Sequence, residues 1–165
     1  MSGQTDGGPI VVRPANESDL PALGRLGASL LHTHFAFDAQ RFMAPPPAPE
    51  QGYAWFLGTQ LREPDAGIFV AVAGEQVVGY VYAGLEPQSW KELRDAAGFI
   101  HDVAVDERHR GAGIGSQLVT AALDWLRDRG APRVLLWSAE RNTGARQLFT
   151  RLGFRTTMVE MTREL

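Results

Sequence analysis

A glycine-rich turn is the feature that most constrains how this chain can fold. Residues 110–115 read Arg-Gly-Ala-Gly-Ile-Gly, between a strand-like run at 98–105 and a periodic apolar pattern at 115–129. The three glycines let the backbone bend and leave its N–H groups open to a ligand. A following helix adds a partial positive charge of about half a unit at its first turn. The pattern therefore predicts a strand–turn–helix unit that binds a phosphate or pyrophosphate.

Two other phosphate-binding turns are excluded by the same residues. A Walker-type loop ends in Gly-Lys-Ser or Gly-Lys-Thr, whereas this turn continues as Gly115-Ser116-Gln117. A dinucleotide fingerprint requires glycine where Ser116 stands, and an acidic residue at the end of a second strand about twenty residues later. Asp128 and Glu140 lie near that distance, but neither ends a predicted strand.

The turn and its flanks closely resemble the acetyl-coenzyme A signature of the GNAT superfamily of N-acetyltransferases. The family motif reads Arg or Gln, two residues, Gly, one residue, then Gly or Ala, and Arg110, Gly113 and Gly115 match it. The apolar run before the turn ends at Val105, and its separation from Arg110 is the one usual in the family. The resemblance implies acetyl-coenzyme A as the co-substrate.

A second segment near the end of the chain also resembles the family. Asn142, Ala145, Leu148-Phe149 and 152–154 look like its Asn-x-x-Ala-x-x-Leu-Tyr-x-x-x-Gly-Phe pattern. One departure is Phe149, because many relatives have a tyrosine there that can donate a proton to the departing thiolate, and phenylalanine cannot. Another is length, since the 11 residues after position 154 leave room for one strand where many relatives have two.

The resemblance implies a set of residues around the co-substrate. A backbone N–H near Val103 or Ala104 would stabilise the charge that develops on the thioester oxygen. The implied co-substrate-binding residues are Val103, Ala104, Val105, Arg110, Gly111, Ala112, Gly113, Ile114, Gly115, Ser116, Asn142 and Ala145.

His101 is the candidate general base. An amine is mostly protonated at neutral pH, and an imidazole, which titrates near pH 6.5, suits the task of removing its proton. Some family members place a histidine or glutamate at this point of the strand. The alternative is a histidine held by hydrogen bonds within the sheet. Strand alternation predicts that Asp102 points to the opposite face and is structural, so only one of the two residues reaches the acceptor.

The order of predicted elements is βααβββαβαβ, an α/β (α+β) arrangement. Helices separate neighbouring strands only in the second half, which predicts a mixed sheet with a parallel pair there. The resemblance implies a GNAT-like sheet, splayed at its centre and flanked by helices. Predicted details include a hairpin at Gly74-Glu75, a buried strand at 133–138, a helix at 144–152 and a last strand at 156–163.

Length and composition predict one acetyltransferase domain at 10–165 behind a flexible tail at 1–9. A net charge of -3 gives no reason to expect nucleic acid or a membrane as partner. The chain contains no cysteine, which excludes disulfides and thiolate sites. His32 and His34 lack accompanying ligands, so no metal is expected. A cytoplasmic location follows by default, because the tail does not read as a signal peptide.

The predicted function is N-acetyltransfer from acetyl-coenzyme A to a primary amine by direct attack in a ternary complex. The alternative is an acyl-coenzyme A-binding sensor or accessory module without turnover. A scaffold with a vestigial site is disfavoured, because the turn keeps its glycines. The acceptor stays open among polyamines, amino acids, aminoglycosides, small amines and protein termini. A homodimer is expected from family habit and from an exposed last strand.

Overall fold

A five-stranded sheet forms the centre of the structure, a computed structural model that describes residues 8–165. The strands are β1 (Ile10–Pro14), β2 (Ala66–Ala73), β3 (Gln76–Glu86), β4 (Ala97–Val105) and β5 (Val134–Leu136), and they lie side by side in chain order. The first four run antiparallel to their neighbours, whereas β4 and β5 run parallel. The predicted fold class, a mixed sheet with a parallel pair in its second half, is confirmed.

Four α-helices cover the two faces of this sheet. They are α1 (Leu20–Phe37), α2 (Pro49–Gln60), α3 (Ile114–Asp128) and α4 (Thr143–Arg151). Leu23 of α1 and Leu57 of α2 are fully buried against Tyr80 on one face. Leu118 of α3 and Phe149 of α4 share the core of the other face. The connection from β4 to β5 needs α3, because parallel strands cannot be joined by a tight turn.

The start of the chain is held to α1 by a charged pair. Asp19, which is 5% exposed, accepts hydrogen bonds from both terminal nitrogens of Arg13 at 2.8 and 2.9 Å. The Arg13 guanidinium holds the pKa of Asp19 below its usual value. The same carboxylate accepts from the backbone N–H of Asn16, whose side chain caps the 3-10 turn before α1. Strand β1 and helix α1 are thereby joined where the chain changes direction.

The hairpin predicted at Gly74-Glu75 is confirmed, since Ala73 pairs with Gln76 across the turn. Gly74 has a φ of +59°, a conformation that a residue with a side chain rarely adopts. The helices predicted after the glycine-rich turn and at 144–152 are also present, as α3 and α4. The strand predicted at 133–138 is shorter and only half-buried, because its pairing with β4 stops at Leu136.

The prediction of a last strand at 156–163 is wrong. From position 154 to 165 the chain forms no helix or strand, and Val159 and Met161 are 78% and 91% exposed. Alternating side chains make a strand only where an edge of a sheet accepts the backbone and an apolar surface covers one face. This segment is instead attached through Glu160, which pairs with Arg41 after α1. A homodimer built on an exposed last strand loses that support and stays a prediction.

None of the helices described within residues 8–165 combines the length and the apolar character needed to cross a membrane. The cytoplasmic location stays a prediction. Most of the tail predicted at 1–9 lies outside the described residues.

Two glycines bring α1 close to α2. A Cβ added at Gly24 would lie 2.4 Å from the backbone oxygen of Glu50, and one added at Gly27 would lie 2.0 Å from the ring of Tyr53. Neither distance is compatible with a real side chain. The glycines therefore fix how closely the two helices pack.

We predict that Gly24→Ala lowers the free energy of unfolding by about 1–3 kcal/mol, because the methyl group forces the α2 backbone away. Gly52→Ala is the matched control, since it lies in α2 and an added Cβ meets nothing within 4 Å. It should raise the free energy of unfolding by about 0.5–1 kcal/mol. Urea unfolding measures the free energy of unfolding of both variants. Equal changes would show that helix propensity, and not the packing of α1 on α2, determines the effect of alanine at these positions.

Candidate active site

A cleft opens where β4 and β5 separate. The two strands pair only at three positions, Gly98 with Val134, Phe99 with Leu135 and Ile100 with Leu136. Beyond Ile100 they diverge and leave a cavity of about 230 Å³. The splay implied by the family resemblance is therefore present. Its lining residues are Leu30, Leu31, His34, Phe42, Met43, Tyr53, Ile100, His101, Asp102, Val103, Leu136, Trp137, Ser138, Asn142, Ala145 and Phe149.

The edge of β4 presents backbone groups to this gap. The N–H of Asp106 donates to the Val78 carbonyl at 2.7 Å, so this residue faces β3. N–H groups in an antiparallel pair alternate sides, so Ala104 faces β3 as well, while Val103 and Val105 face away from it. The Val105 carbonyl accepts from Nε of Arg110 at 3.3 Å, consistent with that direction. Among the described residues, Val103 therefore has a backbone N–H without a strand partner, aimed at the cleft.

The glycine-rich turn follows this edge and leads into α3. Gly111 and Gly113 have φ angles of +80° and +77°, which favour glycine strongly. The amides of residues 111–113 donate to no acceptor within the described chain, and the first N–H groups of α3 also lack helical partners. An added Cβ at Gly111 or Gly113 meets no atom within 4 Å, so the space above the turn is open. The turn has the donors and the room that an oxyanion requires.

The remaining residues of the turn have separate roles. Gly115 is helical, and a Cβ there would lie 3.0 Å from Leu148 of α4, so this glycine serves helix packing. Ile114 is 2% exposed and belongs to the core. Ala112 lies within the open turn, and Ser116 follows in the first turn of α3.

Asn142 and Ala145 form the start of α4. Oδ1 of Asn142 accepts from the backbone N–H of Ala145 at 3.2 Å and so caps the helix. This interaction explains the spacing in the Asn-x-x-Ala segment. Both residues line the cleft, as does Phe149, which is 9% exposed.

The prediction that only one of His101 and Asp102 reaches the cleft is wrong. Tyr82 of β3 pairs with Asp102, but the next residue, Ala83, pairs with Ile100, so His101 is an extra residue in β4. Such a bulge interrupts the alternation of side chains. The His101 ring lies 4.8 Å from that of Tyr82, and Asp102 contacts Tyr80, two residues away on the same face of β3. Both side chains therefore line the cleft.

Asp102 is a largely buried carboxylate held by two tyrosines. The hydroxyls of Tyr53 and Tyr80 donate to its Oδ2 at 2.8 and 3.0 Å. Burial raises the pKa of Asp102, and the two hydroxyl donors oppose that rise. The pKa values of Tyr53 and Tyr80 are raised, chiefly by burial and then by the Asp102 charge. Both hydroxyls therefore stay protonated and donate.

The other oxygen of Asp102 is free. Oδ1 accepts no hydrogen bond from the described residues. Yet no buried side-chain oxygen of residues 8–165 lacks a partner, so Oδ1 must be open to solvent. None of the ion pairs found in that part of the chain involves Asp102. A carboxyl group that forms no ion pair within residues 8–165 thus stands at the cleft.

Two histidines at the cleft have fixed tautomers in their neutral form. Nε2 of His101 lies 3.1 Å from a carboxylate oxygen of Glu86, which can only accept, so this nitrogen carries the hydrogen and Nδ1 is unprotonated. Nδ1 of His34 donates to the Leu30 carbonyl at 2.9 Å, which leaves Nε2 unprotonated. His101 also stacks on Phe99 at 5.3 Å. Each ring keeps one nitrogen able to accept a proton.

Sequence reasoning missed the place of His34 at the cleft and the hydrogen bonds of Tyr53 and Tyr80 to Asp102. No local pattern could have found the Tyr53–Asp102 contact, because it joins residues far apart in the chain. Within residues 8–165, no cluster of three or more His, Asp or Glu side chains is arranged to bind a metal. His32 lies outside this cleft, in an open pocket between α1 and α2.

Known proteins resemble this chain in sequence and in fold. An uncharacterised N-acetyltransferase of Methanocaldococcus jannaschii is 34% identical over 100 residues, 61% of this chain and 44% of the relative. A mycothiol acetyltransferase of Thermomonospora curvata is 34% identical over 119 residues, 68% of this chain and 37% of the relative. The matched region thus spans less than half the length of these relatives. An aminoglycoside N-acetyltransferase, solved with coenzyme A, shares the fold with a TM-score of 0.74 at 16% identity, over 100% of this chain and 99% of its own.

The model of the acetyltransferase (GNAT) family matches residues 31–154, which run from α1, through the cleft and the glycine-rich turn, to the end of the second motif. By this match, the chain belongs to the GNAT family of acetyltransferases.

Proposed function

We propose that this protein transfers an acetyl group from acetyl-coenzyme A to a primary amine by direct attack in a ternary complex. The observation that carries the proposal is the alignment of three features along one strand edge. These are the unpaired N–H of Val103, the cleft beside it and the open amides of residues 111–113. Acetyl-coenzyme A supplies the acetyl group as a thioester.

The residues present fit this co-substrate. The turn at 110–116 offers backbone donors, with two glycines whose missing side chains leave space for a pyrophosphate. The open edge at Val103 and Val105 offers backbone groups to an extended pantetheine arm, while Ala104 is occupied by β3. Asn142 and Ala145 lie at the opposite wall. Backbone atoms of the turn and of the open edge support the proposal, whereas Ile114 belongs to the core and Gly115 serves helix packing.

The chain's own groups can handle the charges and protons of the reaction. The substrate enters as an ammonium, and His101 takes one proton from it through Nδ1 and passes it to solvent. The neutral nitrogen then attacks the thioester carbon, and the Val103 N–H stabilises the negative charge on the carbonyl oxygen. As the C–N bond forms, the second N–H proton passes to His101, which is neutral again, and the C–S bond breaks. The thiolate takes its proton from water or Ser138, since Phe149 has none to give.

We predict that acetyl-coenzyme A at about a hundredfold excess over its Kd stabilises the protein by about 2.7 kcal/mol, or roughly 5–10 °C in Tm. Gly113→Ala should weaken binding about tenfold or more, or about 1.4 kcal/mol, because its methyl group enters the space above the turn. Gly74→Ala is the matched control, with the same positive-φ strain far from the cleft. Calorimetry with coenzyme A measures both, and equal affinities would remove the turn from the binding site.

We predict that turnover rises along the low-pH limb of its pH profile as His101 loses its proton, because only neutral His101 accepts a proton from the amine. His101→Ala should flatten this limb and lower kcat roughly a hundredfold. The titratable groups around His101 are Glu86, Tyr82, Asp102 and His34. Of these, His34 is the other histidine, so His34→Gln serves as the comparison and should keep the limb. Thiol release against pH, with melting curves of each variant, measures this. If His34→Gln lost the pH-dependent limb and His101→Ala kept it, His34 rather than His101 would be the base.

Binding of coenzyme A without thiol release from any amine would support the acyl-coenzyme A-binding module in place of the enzyme. Phe149 favours that alternative, because it removes the tyrosine acid that many relatives have.

A further inference from the structure

We infer that the acceptor is a small primary amine with a single positive charge and an apolar or aromatic body, whose ammonium group binds Oδ1 of Asp102. This inference rests on the proposed function and names its substrate class. Three independent properties of the cleft carry it: its charge, its walls and its size.

The charge of the cleft is one unpaired carboxylate. Asp102 is the single acidic residue among the side chains that line the cleft. Its Oδ2 is saturated by Tyr53 and Tyr80, and its open Oδ1 has no protein donor among the described residues. Tyrosine hydroxyls hold the carboxylate in place without neutralising it, as an arginine would. An ammonium substrate would supply the cationic partner that this carboxyl lacks among the ion pairs of residues 8–165.

Apolar side chains form much of the cleft wall. Leu30, Leu31 and Phe42 line it from α1 and the loop behind it. Met43 and Trp137 stand at its rim with 64% and 75% of their surfaces exposed. Large apolar side chains exposed around a cleft gain free energy when an apolar body covers them. A substrate covered with hydroxyl or further ammonium groups would leave these apolar side chains without apolar contacts.

The size of the cleft favours a small acceptor. Its volume of about 230 Å³ lies below the roughly 300–1,000 Å³ of sites that enclose drug-sized ligands, and the thioester end must share it. One ring on a short chain fits these limits. Polyamines and aminoglycosides carry several ammonium groups, whereas the cleft has one carboxylate. The cleft therefore matches an amine with a single charge better than either of these classes.

The test compares amines that differ in charge and body. Wild-type protein should acetylate 2-phenylethylamine with a kcat/KM at least about tenfold, or about 1.4 kcal/mol, above those for spermidine and kanamycin, because the further ammonium groups of these two amines find no second carboxylate in the cleft. Aniline, which has a similar ring but is neutral at pH 7, is the matched probe for the charge. Equal or higher kcat/KM for spermidine or kanamycin would overturn the inference while leaving the proposed function intact.

Asp102→Asn tests the carboxylate, because asparagine keeps an oxygen acceptor for the tyrosines but has no charge. The KM for 2-phenylethylamine should rise roughly tenfold or more, with the KM for aniline within about twofold of wild type. Equal changes for both amines would show that Asp102 only shapes the cleft.

Calorimetric titration of 2-phenylethylamine into the protein with coenzyme A gives the same comparison without turnover. Binding that depends on Asp102 in a protein that releases no thiol would support the site and overturn the proposed enzyme.

A second variant covers the case in which Asp102→Asn does not fold. Met43→Glu adds a second carboxylate at the exposed rim, where a charged side chain is tolerated. It should raise kcat/KM for spermidine relative to 2-phenylethylamine by about tenfold. An unchanged ratio would show that charge matching at this cleft does not select the acceptor.

Discussion

Strands β4 and β5 hydrogen-bond to each other at only three positions, and the cleft exists because they then part. Had the pairing continued, the Val103 N–H would bond to a neighbouring strand and no ligand could reach it. The edge stays open because the chain turns away after Leu136 into the loop that leads to Asn142. Helix α3 keeps the two strands together at their starts, packing its buried face on the sheet. The other features of the site lie along the gap that opens where the pairing of β4 and β5 stops.

Asp102 shows how the protein keeps a charge available at such an interruption. A carboxylate could be buried more cheaply beside an arginine, as Asp19 is beside Arg13. That pair neutralises itself and lowers the pKa of the acid. The hydroxyls of Tyr53 and Tyr80 are weaker partners, and burial still raises the pKa of Asp102. The result is a carboxyl group with no ion-pair partner among the described residues, the feature on which the inferred ammonium binding rests.

The parts of this structure that depend on neighbouring residues could be predicted from the sequence. The open turn at 110–115, the hairpin at Gly74 and the helix capped by Asn142 each depend on residues a few positions apart, and all three are present. The shared placement of His101 and Asp102 could not be predicted, because it depends on how β3 and β4 are paired. The last strand failed for a related reason: the alternation at 156–163 is real, but no sheet edge covers it. His101 as the base stays a prediction, now with Glu86 to orient the ring.

The bulge at His101 has a consequence for folding as well as for the site. A β4 strand that slipped by one residue would carry Asp102 to the face where Val81, Leu118 and Ile100 form an apolar core. The slip would bury a carboxylate without donors and leave the hydroxyls of Tyr53 and Tyr80 without an acceptor. Antiparallel strands made mostly of small and apolar residues have little else to distinguish one register from the next. The Asp102 carboxyl group therefore also helps to fix the register of β3 and β4, because it disfavours pairings shifted by one residue.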